Sequence, residues 1–230
     1  MKFAPALSTV ICCRALQWGP QGRPLTAPLD LEVAYGSLTA IVGGNGVGKT
    51  SLLRVIAGVQ KPLSGTVTVN LPRRTPVGFV QQQQAIDRQF PINLAQLVQT
   101  GCWGGRLSGT ARRERLDAAL ATWHLESLAG YSLSELSGGQ LQRALLARLS
   151  LLDAPLLLLD EPDASLDQAG QQLLWQQIRG WQTAGKTLLL VCHDLAKVRD
   201  HTDRCLIINP QGCSWQADTD AQVAQRRLAC

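Results

Sequence analysis

Gly43, Gly44, Asn45, Gly46, Val47, Gly48, Lys49, Thr50 and Ser51 form a glycine-rich turn that ends in a lysine and two hydroxyls. Residue types in this order cradle a triphosphate. The glycines let successive backbone amides converge on phosphate oxygens, and a following helix turns its positive N-terminus toward them. Lys49 reaches the β- and γ-phosphates, and the Thr50 hydroxyl can ligate Mg²⁺. A second group of candidates lies far downstream, where Asp160 and Glu161 close the apolar run 156–159. Open α/β sheets gather reactive groups at strand ends of this kind. Asp160 there would hold Mg²⁺, directly or through water, and Glu161 would polarise an attacking water as general base.

Such groups need rigid elements beneath them. Residues 38–42 form a short apolar run ending at the glycine-rich turn, and 50–57 have helical spacing, which predicts strand, loop and helix in succession. Residues 65–69 alternate as a strand, and 77–80 form another short apolar run. From about 86 to 155 the pattern turns helical, with helices predicted over 94–100, 110–123 and 138–151. Thr110 is the expected cap of the second, whose Arg112, Arg113, Glu114 and Asp117 give it a polar face. Strands return at 156–159, 188–192 and 206–208 as continuous apolar runs, as expected of parallel strands buried on both faces. A helix at about 168–183 separates the first two. The alternation predicts one α/β domain over 1–230, with a core from 1–85 and 156–230 interrupted by helices at 86–155.

The bulk composition excludes several other functions. With 45% apolar and 17% charged residues in 230, the chain is an ordinary globular protein able to bury a substantial core. Its net charge of +5 comes from scattered basic residues, so no nucleic-acid partner is expected. The seven cysteines form no C-x-x-C pattern and the three histidines no zinc-site spacing, which leaves the thiols as small buried hydrophobes. No apolar stretch approaches the roughly 18 residues that span a bilayer, and the N-terminus lacks the pattern of a signal peptide. A cytosolic protein is expected.

Leu136-Ser137-Gly138-Gly139-Gln140 now narrows the class. This pentapeptide matches, without substitution, the signature motif of the ATP-binding cassette (ABC) ATPases, and the chain resembles that family over essentially its whole length. Gln82 falls at the family's Q-loop glutamine, Ser165-Leu166-Asp167 matches its D-loop, and His193 its switch histidine. Trp18 stands 25 residues before Gly43, where an aromatic side chain normally stacks on adenine. Gln81 and Gly44 replace prolines common in the family, and neither change removes a chemical group. The resemblance implies a P-loop NTPase fold: a RecA-like parallel-sheet core with an antiparallel β edge and an inserted helical subdomain carrying the signature.

The resemblance also implies how the chain works. Two copies pair head to tail, each ATP lying between one copy's glycine-rich turn and the other's signature, so Ser137, Gly139 and Gln140 would meet the γ-phosphate across the dimer. Glu161, His193, Gln82 and Lys49 would carry catalysis, Thr50, Gln82 and Asp160 would hold Mg²⁺, and Asp167 would signal across the interface. The segment 85–94 after Gln82 is similar to subunits that drive import of manganese, zinc or iron chelates. An integral-membrane permease engaging the chain through a coupling helix, and indirectly an extracytoplasmic solute-binding protein, are the implied partners. The chain would then sit on the cytoplasmic face of the membrane. The alternatives are an ABC subunit for a different substrate, or a soluble ABC ATPase of non-transport function; the soluble proteins usually carry coiled-coil insertions or two cassettes, and this sequence has no heptad run and no second glycine cradle.

Overall fold

Continuous leucine runs dictate the centre of the molecule. In the computed structural model, which describes residues 9–20, 22–81, 86–103, 107–192 and 201–216, β6 (Leu156–Asp160) and β7 (Thr187–Val191) are buried at every position. They lie side by side in a six-stranded sheet with β3 (Leu38–Gly43), β5 (Val77–Val80), β8 (Arg204–Asn209) and β9 (Gly212–Gln216), in the order β5-β6-β7-β3-β8-β9. The first five run parallel, and β9 returns antiparallel along β8. Successive side chains of a strand point to opposite faces. Leu157, Leu159, Leu188 and Leu190 therefore enter one apolar cluster, and Leu156, Leu158, Leu189 and Val191 enter another. Each such leucine stabilises the fold by roughly 1.5–3 kcal/mol relative to exposure.

Helices cover the first face. Between β5 and β6 run α2 (Leu94–Gln99), α3 (Gly109–Thr122) and α4 (Gly138–Leu151), and α5 (Gln168–Thr183) joins β6 to β7. Leu97, Val98, Leu145, Leu146, Leu174 and Ile178 from these helices share one cluster with the sheet. The second face is covered by α1 (Lys49–Ile56) and by a three-stranded antiparallel sheet of β1 (Thr9–Gln17), β2 (Leu29–Ala34) and β4 (Ser64–Val69), ordered β2-β1-β4. The expected antiparallel edge thus takes two forms, a separate sheet and the β9 return. In β2, Leu29, Leu31 and Val33 point inward while Asp30 and Glu32 are exposed, the alternation of a strand with one wet face.

One expected cap is corrected. The structure starts α3 one residue earlier, at Gly109, and its N-cap is Ser108, whose hydroxyl accepts from the Ala111 N–H at 3.2 Å. Thr110 lies inside the first turn. Six cysteines fall among the described residues, and all are free thiols. Burial pushes the Cys13 thiol up to about 12, in keeping with a packing role. No helix among the described residues is long and apolar enough to cross a membrane.

Candidate active site

Strands β5, β6 and β7 lie to one side of β3, and β8 and β9 to the other. The carboxyl end of β3 is therefore where the strand order switches, and ligand crevices of parallel sheets open at such points. There the chain leaves Gly43, turns, and enters α1 at Lys49. Gly43 has no room for a side chain, since a Cβ would fall 2.4 Å from the Ile208 carbonyl oxygen on the adjacent strand. Gly48 holds the N-cap position of α1 at φ +97°, and no side chain caps this helix start. The first-turn residues Lys49, Thr50 and Ser51 instead line a cavity of about 380 Å³ together with Leu25, Asn45, Gly46, Gly48 and Glu161. An uncapped helix start facing a cavity attracts anions through bare amides and the helix dipole.

The polar side chains of the cavity are held by the loop and the strand ends. The Lys49 ammonium donates to the carbonyl oxygens of Gly43 at 3.0 Å and Gly44 at 2.9 Å, and its side chain is buried. Asp160 ends β6 with no exposed surface and does not itself line the cavity. Glu161 follows at φ +48°, a backbone region that costs a non-glycine residue about 1 kcal/mol or more, and its N–H donates to the Val191 carbonyl at 3.1 Å. Gln142 of α4 pins the next turn by donating through Nε2 to the Pro162 carbonyl at 3.0 Å. A carboxylate, an ammonium and hydroxyls thus line one cavity. Thr50 and Asp160 are hard oxygen donors of the kind Mg²⁺ takes.

Ser137, Gly139 and Gln140 do not line this cavity. Ser137 is the N-cap of α4, with its hydroxyl accepting from Gln140 N–H at 3.2 Å while Gln140 Oε1 accepts from Ser137 N–H at 2.8 Å. Ser137 and Gly138 are exposed. Gly139 faces the chain's own loop, where a Cβ would meet the Ser165 carbonyl oxygen at 2.8 Å. Asp167 caps α5, accepting from Gly170 N–H at 2.8 Å. Gln82 and His193 lie outside the described residues. β5 ends at Val80 and β7 at Val191, flanking the end of β6. None of the described site residues lines a larger cavity of about 540 Å³ on α5 between Gln172, Trp175 and His201.

Three findings depart from the sequence reading. Trp18 is not placed to stack on a base: its ring is fully buried, and its Nε1–H donates to the Gly48 carbonyl at 2.8 Å. A side chain seals itself this way when its polar edge finds a backbone acceptor inside. Leu25, not singled out in the sequence, lines the cavity beside Gly48. The only sequence signal for it is its place in the short turn that follows Trp18. Gly43, Gly44 and Val47 also stay off the cavity wall, and Val47 packs against the apolar cluster that holds Leu156 and Leu158.

A parallel sheet whose switch point carries a glycine loop running into an uncapped helix, with the carboxylate that follows a strand end, Glu161, on the same cavity, defines a P-loop nucleoside triphosphatase. The family described as ABC transporter matches residues 26–164. The chain is 38% identical over 200 residues to the zinc import ATP-binding protein ZnuC of Roseobacter denitrificans, covering 86% of this chain and 74% of that one. It is 32% identical over 196 residues to the manganese transport system ATP-binding protein MntB of Bacillus subtilis, covering 81% and 78%. Among solved structures, the dimeric ATP-binding cassette MJ0796 with ADP and phosphate superposes with a TM-score of 0.79 at 25% identity, covering 90% of this chain and 98% of that one. The chain belongs to the ABC transporter family of ATP-binding, ATP-hydrolysing proteins.

Proposed function

We propose that this chain is the ATPase subunit of a membrane importer for a transition-metal ion, zinc or manganese, or for an iron chelate. It acts as a homodimer bound to an integral-membrane permease at the cytoplasmic face, with a solute-binding protein delivering cargo from outside. The observation that carries this reading is a division of groups within one chain. Lys49, Thr50 and Glu161 converge on one cavity, whereas the Ser137 turn points into solvent elsewhere. The names of the zinc and manganese relatives support the choice of cargo.

The residues then take the following roles. The amides of 45–50 bind the β- and γ-phosphates, and Lys49 exchanges its carbonyl partners for phosphate oxygens. Thr50 and Asp160, with Gln82, would hold Mg²⁺, which supplies positive charge to the phosphates when bound with ATP. Glu161, aimed by its left-handed backbone, takes the proton of the attacking water, and His193 steadies the γ-phosphate. Ser137 and the Gly138 and Gly139 amides of the second copy donate to the γ-phosphate from the far side. Gln140 serves this turn indirectly, by keeping it capped. Phosphoryl transfer needs positioning and charge stabilisation above all, so splitting the donors between two chains makes hydrolysis conditional on closure. Closure favoured by ATP would shift the permease between its states.

The test is ATPase turnover of the permease complex in vesicles. Zinc- or manganese-loaded binding protein should stimulate it. Stimulation by an organic solute, with both metals inert, would remove the assigned cargo class.

A further inference from the structure

The indole of Trp18 stands beneath the phosphate loop, and its one polar atom is spent on that loop. Nε1–H donates to the Gly48 carbonyl, which also accepts the first helical bond of α1, from Leu52 N–H at 2.9 Å. Two donors therefore fix the direction of this carbonyl. In a trans peptide the C=O and the following N–H point opposite ways. Drawing the Gly48 carbonyl toward the core consequently turns the Lys49 N–H outward, toward the cavity that Lys49 lines.

The turn that follows Trp18 braces the same spot. Leu25 N–H donates to the Trp18 carbonyl at 3.0 Å, and Arg23 N–H to that of Pro20 at 2.9 Å. This seats Leu25 against Gly48, where a Cβ would lie 2.6 Å from Leu25 Cδ1 and 2.7 Å from Trp18 Nε1. Trp18 holds the residue whose φ of +97° launches α1, and Leu25 lies beside it as part of the cavity lining. Among the described residues lining the cavity none is aromatic, and Leu25 is the apolar one.

We propose that Trp18 is a positioning residue for the phosphate loop, acting through its indole N–H, and that Leu25 forms the wall against the nucleoside. The inference rests on the nucleotide-site reading above. Loss of the indole N–H then weakens the grip on phosphate whatever base is attached, while loss of the Leu25 side chain weakens only ligands that have a nucleoside.

The experiment measures binding of ATP, GTP and inorganic tripolyphosphate, each with Mg²⁺, to the full chain. The variants are Trp18→Phe, Leu25→Ala and Lys49→Ala, plus a chain with β-(3-benzothienyl)alanine at position 18 alone. That residue keeps the two-ring shape of tryptophan and lacks the N–H, so it separates hydrogen bonding from packing even where Trp18→Phe fails to fold. Both position-18 replacements should weaken all three ligands by the same factor, roughly tenfold, as for one buried hydrogen bond. Leu25→Ala should weaken ATP and GTP several-fold and leave tripolyphosphate unchanged. Wild-type affinity with the benzothienyl residue, or a loss confined to ATP and GTP, overturns the proposal. If Lys49→Ala leaves all affinities intact, the nucleotide site itself is misassigned; a loss there without one at position 18 sinks only the role of Trp18.

Discussion

Two helices in this chain begin at turns rich in glycine, and they begin in opposite ways. At the start of α1 the N-cap is Gly48 in the left-handed region, with no capping side chain, inside a cavity. At the start of α4 the N-cap is Ser137 in extended conformation, closed by a reciprocal box with Gln140 and exposed to solvent. A capping box stabilises a helix start by about 1 kcal/mol, so the Ser137 turn is satisfied without a ligand. The α1 start leaves its amides for a ligand. One turn keeps its amides free of a capping side chain beside a cavity; the other is a self-satisfied surface whose serine hydroxyl, while accepting from Gln140, still has its own proton to donate. That contrast is what a site shared between two chains requires.

The contrast breaks first at the cavity. Glu161→Gln should lower phosphate release by about 10²–10⁴-fold while ATP affinity persists, measured as turnover beside equilibrium binding. Turnover near wild type would remove Glu161 as the base. Lys49→Ala should weaken ATP binding itself by about tenfold or more, since charge-assisted contacts to phosphate are lost; calorimetry decides it.

Ser137→Asp sharpens the other side. Aspartate caps a helix as well as serine does and suits the dipole, so the melting temperature should hold or rise. A carboxylate facing the partner's γ-phosphate should nonetheless cut turnover sharply, with ATP affinity of the dilute chain unchanged. A parallel fall in melting temperature and turnover would reduce this turn to a structural cap. The smallest effect concerns α3: Ser108→Ala should cost about 1 kcal/mol in denaturant unfolding and Thr110→Ala close to nothing, the reverse of the sequence expectation.

Legibility followed the strength of local signals. The runs at 156–159 and 188–192 could only be strands buried on both faces, and the structure extends each by a residue or shifts it by one. Glycine spacing announced the loop, because Gly43 and Gly48 occupy positions where a Cβ collides with Ile208, Leu25 or Trp18. The outer sheet was harder to see. β1 breaks its alternation at Ala15, which sits at φ +44° beside a register shift. Trp18 misled because distance along the chain says nothing of which way a ring turns; a single carbonyl, that of Gly48, decided it. Leu25 had only its place in the turn after Trp18 as a signal, and any apolar residue at the end of that turn reads alike.

The most direct measurement is the ATPase rate of the isolated chain as a function of its own concentration, at saturating ATP and Mg²⁺. A site completed by a second copy makes the initial rate second order in protein on dilution, with turnover per chain falling toward zero. A rate that stays first order at full specific activity down to the lowest measurable concentration would mean that one chain holds every group it needs.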